Sequence, residues 1–247
     1  NTYTTGNIAE DVESFAGDGG AGGLVGFNLG GHIENTYATG NVEGFVAGGL
    51  VGMSIGGEAP LTIVNSYSTG NVTGSISGGL VGYDSDDDIY NSYSTGNIIG
   101  VYNENFLEEF GEGYIVGGLI GVLTATENKT INDYIFNSGW YQSQDESELS
   151  GIGMAGGGAV SPGHADVSYT ETNNQAFYSK THGIYNSDAE HAWSFNGNPW
   201  YEQSDTYPKF TEQEEPTPTS HSHIRSSGSS PSVIASFQLE QQQRAIN

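Results

Sequence analysis

The sequence predicts an all-β fold: a β-solenoid, similar to a β-helix, of four to five rungs with an irregular aromatic C-terminal cap and an extended tail. Two observations predict it. Two short elements alternate along the first half of the chain, and the extra residues between repeats fall at only two points of the repeat. The composition agrees, because 38 of 247 residues are glycine and 15 are tyrosine. An interior glycine destabilises a helix by roughly 1 kcal/mol relative to alanine, which argues against long helices.

The two elements each occur four times, in strict alternation. The first, Asn-[Ser/Thr]-Tyr-x-Thr-Gly-Asn-[Ile/Val], begins at Asn1, Asn35, Asn65 and Asn91. The second, Gly-Gly-Leu-[Val/Ile]-Gly, begins at Gly22, Gly48, Gly78 and Gly117. Such internal similarity is typical of repeat proteins, in which each unit buries its apolar face against the next one.

The spacing of the repeats indicates where the chain accepts extra residues. The first elements begin 34, 30 and 26 residues apart. If 26 is the minimal rung, the extra residues follow either the Asn-[Ile/Val] pair, as after Ile8, or the Gly-Leu-Val-Gly run, as after Gly52. Loops at the corners of a coil tolerate inserted residues, whereas strands that are paired with the next rung do not. Twenty-six residues are too few for a propeller blade of about 40 residues, so we expect two or three short strands per rung, with rungs about 4.8 Å apart.

Stacked rungs give each repeated side chain a neighbour of its own kind. We expect a core column of Leu24, Leu50, Leu80 and Leu119. We expect an aromatic ladder of Tyr3, Tyr37, Tyr67 and Tyr93, in which each pair contributes about 0.5–1.5 kcal/mol beyond burial. The Gly-Asn pairs are expected at corners with positive φ. Rung-to-rung hydrogen bonds are expected from Asn7, Asn41, Asn71 and Asn97.

The alternation of GGLVG with NSYSTGNV resembles the GLUG-motif repeats of bacterial and archaeal surface proteins. These include large adhesins and the non-catalytic region of IgA-specific metallopeptidases. The resemblance covers residues 1 to about 136 closely. NSGWYQSQ from Asn137 is similar to a degenerate repeat, and AWSFNGNPWYEQSDTYPKF from Ala192 is similar to an ending seen after such repeats. The resemblance implies an extracellular β-solenoid and carries no catalytic signature.

Composition and pattern divide the chain into four parts: repeats at 1–136, a degenerate repeat and capping region at 137–210, a Pro/Ser/Thr-rich linker at 211–231, and a tail with a candidate strand at 232–247. A solenoid needs a cap over its open core. We expect Trp140, Trp193 and Trp200 to cover that end. The chain begins inside a repeat, which indicates a processed or excised piece.

Charge limits the partners of this chain. Thirty acidic residues against five basic ones give a formal net charge of −25. Phosphate backbones and anionic lipid surfaces would be repelled, so we expect neither nucleic acid nor membrane insertion. No apolar run is long enough for a transmembrane helix. Cysteine is absent, which excludes a disulfide scaffold and leaves the compartment open.

The densest group of candidate ligands is a run of aspartates at one corner: Asp84, Asp86, Asp87 and Asp88. Carboxylates suit Ca²⁺, which takes 6–8 oxygen ligands; the alternative is a solvated acidic loop. No other cofactor is predicted. The sequence contains no His-Glu-x-x-His, Gly-x-Ser-x-Gly or Walker pattern. Polysaccharide-cleaving solenoids usually need basic residues around an anionic sugar. Lys129 is the only lysine or arginine in the repeats. We therefore predict a protein that is not an enzyme.

The tail segment from Ser232 to Glu240 has the alternation of a half-buried strand. Its apolar face consists of Val233, Ala235, Phe237 and Leu239. We expect this strand to pair with an exposed solenoid edge, preferably on another copy, in a head-to-tail contact. The alternatives are a tail that lies against its own cap and a linker toward an anchor.

These observations predict a non-catalytic, extracellular protein at the cell surface. It would be either a subunit of a self-assembling filament or an adhesin stalk. Two alternatives stay open: a module that binds glycans or cell surfaces through its insertions and aromatic cap, and an accessory region of a secreted enzyme.

Overall fold

A computed structural model describes residues 2–9, 20–55, 62–85, 87–104, 107, 112–125, 135–136, 138–140, 149, 151–157, 193–195, 200–201 and 209–210. These residues wind into a β-solenoid of about four turns, which confirms the predicted fold class. Apart from the strands, Glu104 and Leu107 have helical conformation. Within the described residues, no helix is long and apolar enough to span a membrane.

Each full turn contributes one strand to each of five parallel sheets, named A to E in the order in which the chain visits them. Sheet A contains β1 (Thr2–Thr4), β6 (Thr36–Ala38), β11 (Tyr67–Ser68), β16 (Tyr93–Ser94) and β21 (Gly139–Trp140). Sheet B contains β2 (Ile8–Ala9), β7 (Val42–Glu43), β12 (Val72–Gly74) and β17 (Ile98–Gly100). Sheet C contains β3 (Ala21–Gly22), β8 (Val46–Gly48), β13 (Ile76–Gly78) and β18 (Ile115–Gly117).

The other two sheets complete the turn. Sheet D contains β4 (Val25–Asn28), β9 (Val51–Ile55), β14 (Val81–Ser85), β19 (Ile120–Ala125) and β22 (Ile152–Gly157). Sheet E contains β5 (His32–Glu34), β10 (Thr62–Val64), β15 (Asp88–Tyr90) and β20 (Ile135–Phe136). One antiparallel pair lies outside the coil: β23 (Trp200–Tyr201) and β24 (Lys209–Phe210). The expectation of two or three strands per rung is wrong. Each full turn has five strands, and each strand is only two to six residues long.

Strand register shows where extra residues enter. In sheet B, Ile8 pairs with Val42, which is 34 residues further on. In sheet C, Ala21 pairs with Ala47, only 26 residues further on. The first insertion therefore lies between sheets B and C. The pairs Val51↔Val81 and Thr62↔Asp88 place the second between sheets D and E, so both corners are those that the repeat spacing predicts.

The described residues of the interior form three apolar clusters. The largest lies among sheets D, E and A and contains Leu50, Ile63 and Ile89. Sheet C is covered on both faces: Val46 belongs to a cluster with Met53 of sheet D, and Ala47 belongs to one with Val42 and Val72 of sheet B. A coil so narrow buries much of its backbone, and the parallel ladders satisfy the buried N–H and C=O groups.

The repeated leucines stack at the corner between sheets C and D. Leu50, Leu80 and Leu119 are fully buried, and Leu24 is partly buried against the same cluster. The backbone continues the column, since Leu50 N–H donates to Leu80 O at 2.9 Å and Leu80 N–H to Leu119 O at 2.8 Å. Each buried leucine contributes about 1.5–3 kcal/mol. Leu24 is less covered because it belongs to the first described turn.

The Gly-Asn corners differ from the expectation of positive φ. Neither the glycines nor the asparagines of these pairs have it. Among the described residues, positive φ occurs instead at Asn35, Asn65 and Asn91, at 54°, 48° and 50°, and at Gly30 and Gly31. The corner glycines are required by close approach. A methyl group on Gly70 would overlap the carbonyl oxygen of Gly40, and the same holds for Gly40 against Gly6.

We predict that Gly70→Ala destabilises the solenoid by about 1–3 kcal/mol, because the added methyl group must separate two rungs. The matched control is Gly6→Ala, at the same repeat position in the first turn, where an added Cβ meets nothing within 4 Å. Urea unfolding followed by circular dichroism should show a lower midpoint for Gly70→Ala and a change within about 1 kcal/mol for Gly6→Ala. Equal losses in both variants would contradict this account of the corner.

Candidate functional site

The repeated tyrosines form a continuous ladder along sheet A. Ring centroids are 5.1 Å apart for Tyr3–Tyr37, 4.8 Å for Tyr37–Tyr67 and 5.0 Å for Tyr67–Tyr93. The interplanar angles are 8°, 2° and 1°. The spacing equals the strand separation of a sheet, so parallel in-register pairing imposes it. The ladder is apart from the leucine column, in an aromatic cluster of its own.

A second group of aromatic side chains covers this ladder. We call it the aromatic clip: Trp193, Phe195, Trp200 and Phe210. Trp200 is fully buried, with its ring centroid 4.3 Å from that of Trp193 and 4.7 Å from that of Phe210. Strands β23 and β24 hold the clip together, because Trp200 and Phe210 are directly opposite in their antiparallel register.

The clip crosses several rungs along the side of the coil. Phe210 makes edge contacts with Tyr37 and Tyr67, at 6.1 and 5.4 Å between centroids. Trp200 contacts Tyr67 and Tyr93, both at 5.9 Å. These described clip residues lie against the side of the coil, and the capping of its open end by residues 137–210 stays a prediction. The tyrosine rings face outward from sheet A, and their apolar area is what the clip buries.

The last turn interrupts the ladder. Gly139 pairs with Tyr93 and therefore occupies the tyrosine position without a ring. Trp193 stacks on Tyr93 instead, at 6.3 Å and 25°. Trp140, which was expected in the cap, lies in β21 opposite Ser94 and so belongs to the coil. The degenerate repeat is thus a partial rung that contributes strands β20, β21 and β22.

Two asparagine ladders run beside the tyrosines. At the predicted positions, the Oδ1 atoms of Asn7, Asn41 and Asn71 each accept the backbone N–H of the next asparagine in the series, at 2.9–3.0 Å. Sequence reasoning missed the second ladder. Asn65 Nδ2 donates to Asn35 Oδ1 at 3.2 Å, and Asn91 Nδ2 donates to Asn65 Oδ1 at 3.3 Å. The signal was available, since asparagine opens every repeat and tolerates the left-handed conformation.

Hydroxyl groups connect sheet A to the glycine corner. Ser68 Oγ donates to Gly79 O at 2.5 Å, and Ser94 Oγ donates to Gly118 O at 2.7 Å. The first turn repeats the bond with Thr4 and Gly23. The second turn has Ala38 at this position, fully buried against the leucine cluster. The variable residue after each repeated tyrosine therefore has a structural role.

The aspartate corner is less exposed than a solvated loop. Asp84 and Asp87 are fully buried, and Asp88 accepts a hydrogen bond from Tyr90 Oη at 3.3 Å. Asp84 lies in register with Ser54 and Leu123 on sheet D, which places it inside the coil. Asp86 lies outside the described residues. Among the residues that the structure describes, no three His, Asp or Glu side chains are grouped to hold a metal ion.

The apolar residues of the tail strand, Val233, Ala235, Phe237 and Leu239, also lie outside the described residues. The strand-addition hypothesis therefore stays a prediction.

We predict that Trp200→Ala destabilises the protein by about 3–5 kcal/mol, since it removes a buried ring and leaves a cavity beside Tyr67 and Tyr93. Trp200→Phe should cost less, because it keeps a ring and loses mainly the Nε1–H donated to Asn65 Oδ1 at 3.2 Å. The control is Tyr201→Ala, at an exposed neighbour in the same strand. Thermal unfolding ranks the three variants; if Tyr201→Ala is as damaging as Trp200→Ala, burial in the clip is not the cause.

Comparison with known proteins gives one family match. The model of the GLUG motif matches residues 17–43. That segment contains β3 to β7, so the motif corresponds to one turn that starts in sheet C and ends in sheet B. Neither the curated proteins nor the solved structures contain a match. The chain therefore contains a GLUG motif, and the residues equivalent to it recur in the following turns.

Proposed function

We propose that this chain is a non-catalytic structural element of an extracellular, cell-surface protein, acting as an adhesin stalk or as a subunit of a surface filament. The observation that supports this most is how the repeated side chains are used. In the described turns, each repeated leucine, tyrosine and asparagine contacts the residue at the equivalent position of the neighbouring turn. The residues that define the repeat therefore build a rod.

A rod of this kind has properties that suit a stalk. Its stability comes from contacts between adjacent turns, so length can be added turn by turn without redesigning a core. Each turn extends the rod by about 4.8 Å. Corners between sheets B and C, and between D and E, accept insertions while the ladders stay in register. Ligand-binding residues can then change without disturbing the scaffold.

Charge supports the surface setting. A net charge of −25 disfavours side-by-side association of rods, and external salt screens the repulsion within one rod. The resemblance of the repeats to those of bacterial and archaeal surface proteins points to the same compartment.

The filament form of the proposal uses the tail. Residues 232–240 would add as a strand to the first turn of another copy. In that turn Tyr3 and Ile8 are 38% and 40% exposed, which gives an incoming strand apolar contacts.

We predict that the full chain forms head-to-tail assemblies and that deletion of residues 211–247 yields a folded monomer. Phe237→Asp should reduce assembly as the deletion does, because it charges the apolar face of the strand. Gln238→Asp, on the opposite face, is the matched control and should leave assembly intact. Sedimentation and negative-stain electron microscopy measure the outcome. Unchanged assemblies after the deletion would exclude strand donation, and a full chain that stays monomeric contradicts the filament form while leaving the stalk.

The surface location has a direct test. We expect an antibody against the solenoid to label intact cells of the source organism, and external protease to remove that label. Labelling that requires permeabilised cells would contradict the extracellular part of the proposal.

A further inference from the structure

Two tyrosines outside the ladder are exposed where the chain passes from β17 to β18. Tyr102 is 58% exposed and Tyr114 is 47% exposed. Ile99, one residue before the end of β17, is also exposed. This is the corner between sheets B and C. The register offset rises there from 26 residues at Val72↔Ile98 to 39 at Ile76↔Ile115, so the corner carries an insertion.

Both rings are backed by glycine. A Cβ at Gly100 would overlap ring carbons of Tyr114, and a Cβ at Gly113 would overlap ring carbons of Tyr102. Each ring therefore lies directly on the backbone of the opposite side of the insertion. Asn103 N–H donates to Gly113 O at 3.0 Å and fixes the two sides together. Val101 N–H donates to Gly74 O at 2.9 Å, which attaches the base of the insertion to the turn below.

Burial in the core does not account for these two rings. The repeated tyrosines of turns two to four are almost fully buried under the clip, and Phe45, at the same corner of the second turn, is buried in the cluster between sheets C and D. Tyr102 and Tyr114 have one side supported by the main chain and a large area open to solvent. Exposed aromatic groups held in this way are typical of binding surfaces.

The acidic side chains of the insertion indicate which kind of ligand could bind to these tyrosines. The described acidic residues of the insertion, Glu104 and Glu112, are both exposed. Carboxylates accept hydrogen bonds from hydroxyl and amide N–H groups, and they repel anions. A pyranose ring has an apolar C–H face that stacks on an aromatic ring and a rim of hydroxyl donors. A neutral sugar can therefore stack on the tyrosine rings and donate hydrogen bonds to the carboxylates. A uronate or a phosphate would be repelled by a chain of net charge −25.

We propose that Tyr102 and Tyr114 form a platform that binds neutral glycan chains, with Glu104 and Glu112 accepting hydrogen bonds from the sugar. Gly100 and Gly113 let the rings lie flat against the backbone. The inference goes beyond the proposed structural function, because a rod without this platform would still fold and stack. Failure of the platform leaves the stalk and filament tests unaffected.

The test is calorimetric titration of the full chain with three hexasaccharides: one of N-acetylglucosamine, one of glucose and one of galacturonate. We expect heat of binding with at least one neutral hexasaccharide and none with the anionic one. The double variant Tyr102→Ala/Tyr114→Ala should weaken neutral binding by about tenfold or more, since two stacking surfaces are lost. Tyr201→Ala, also an exposed tyrosine but in β23, is the control and should bind as the parent does.

Folding of the double variant is checked by its circular dichroism spectrum and melting temperature. These should change little from the parent, because about half of each tyrosine is exposed to solvent. A second variant, Gly113→Val, keeps both tyrosines but displaces the ring of Tyr102, and it should also weaken binding. Absence of binding to either neutral hexasaccharide, undiminished binding by the double variant, or equal binding of the galacturonate hexamer would each overturn the proposal. Selective binding of a proline-rich peptide in place of sugar would overturn it too, and would assign the platform to protein recognition.

Discussion

In-register stacking of parallel turns is the constraint on which the rest of this structure depends. A residue at a given point of the repeat lies about 4.8 Å from its equivalent in the next turn, so it must interact favourably with its own kind. Tyrosine does so by ring stacking at 4.8–5.1 Å, and leucine does so by burial. Asparagine does so by donating a hydrogen bond to the asparagine of one neighbouring turn and accepting one from the other. Glycine does so because the absence of a side chain lets the main chains of adjacent turns approach closely. The strictness of the repeat follows from this condition.

The same condition creates a problem that the clip solves. A ladder of outward-facing tyrosines exposes an apolar strip that grows with each turn, and such strips promote association. The clip covers the strip over three turns, from Tyr37 to Tyr93. It is also tied to a polar ladder, since Trp200 donates to Asn65. Because Phe210 bridges Tyr37 and Tyr67 and Trp200 bridges Tyr67 and Tyr93, the clip holds successive turns in register from the side.

Periodicity determined how much of this fold the sequence predicts. The leucine, tyrosine and asparagine positions and both insertion corners follow from the repeat alone. The number of strands per turn does not, because strands of two to six residues are too short to show an alternating pattern. The position of the clip does not either, because Trp200 and Asn65 are 135 residues apart and belong to no repeat. Asp84 also breaks the period: its equivalents are Ser54 and Leu123, so its burial is decided by its place in the strand and not by its polarity.

Residues that do not follow the repeat are therefore the ones in which a role other than stacking is to be sought. A repeated residue is explained once its stacking partner is known, and its role ends there. Where a departure is absorbed by packing, as with Gly139 beside Trp193, it shapes the rod. Tyr102 and Tyr114 are departures of the other kind, since they occur in one turn only and keep much of their area in contact with water. A fold that uses its repeated residues for stacking leaves recognition to such insertions, and aromatic rings fixed on glycine are well suited to it because little conformational entropy is lost on binding.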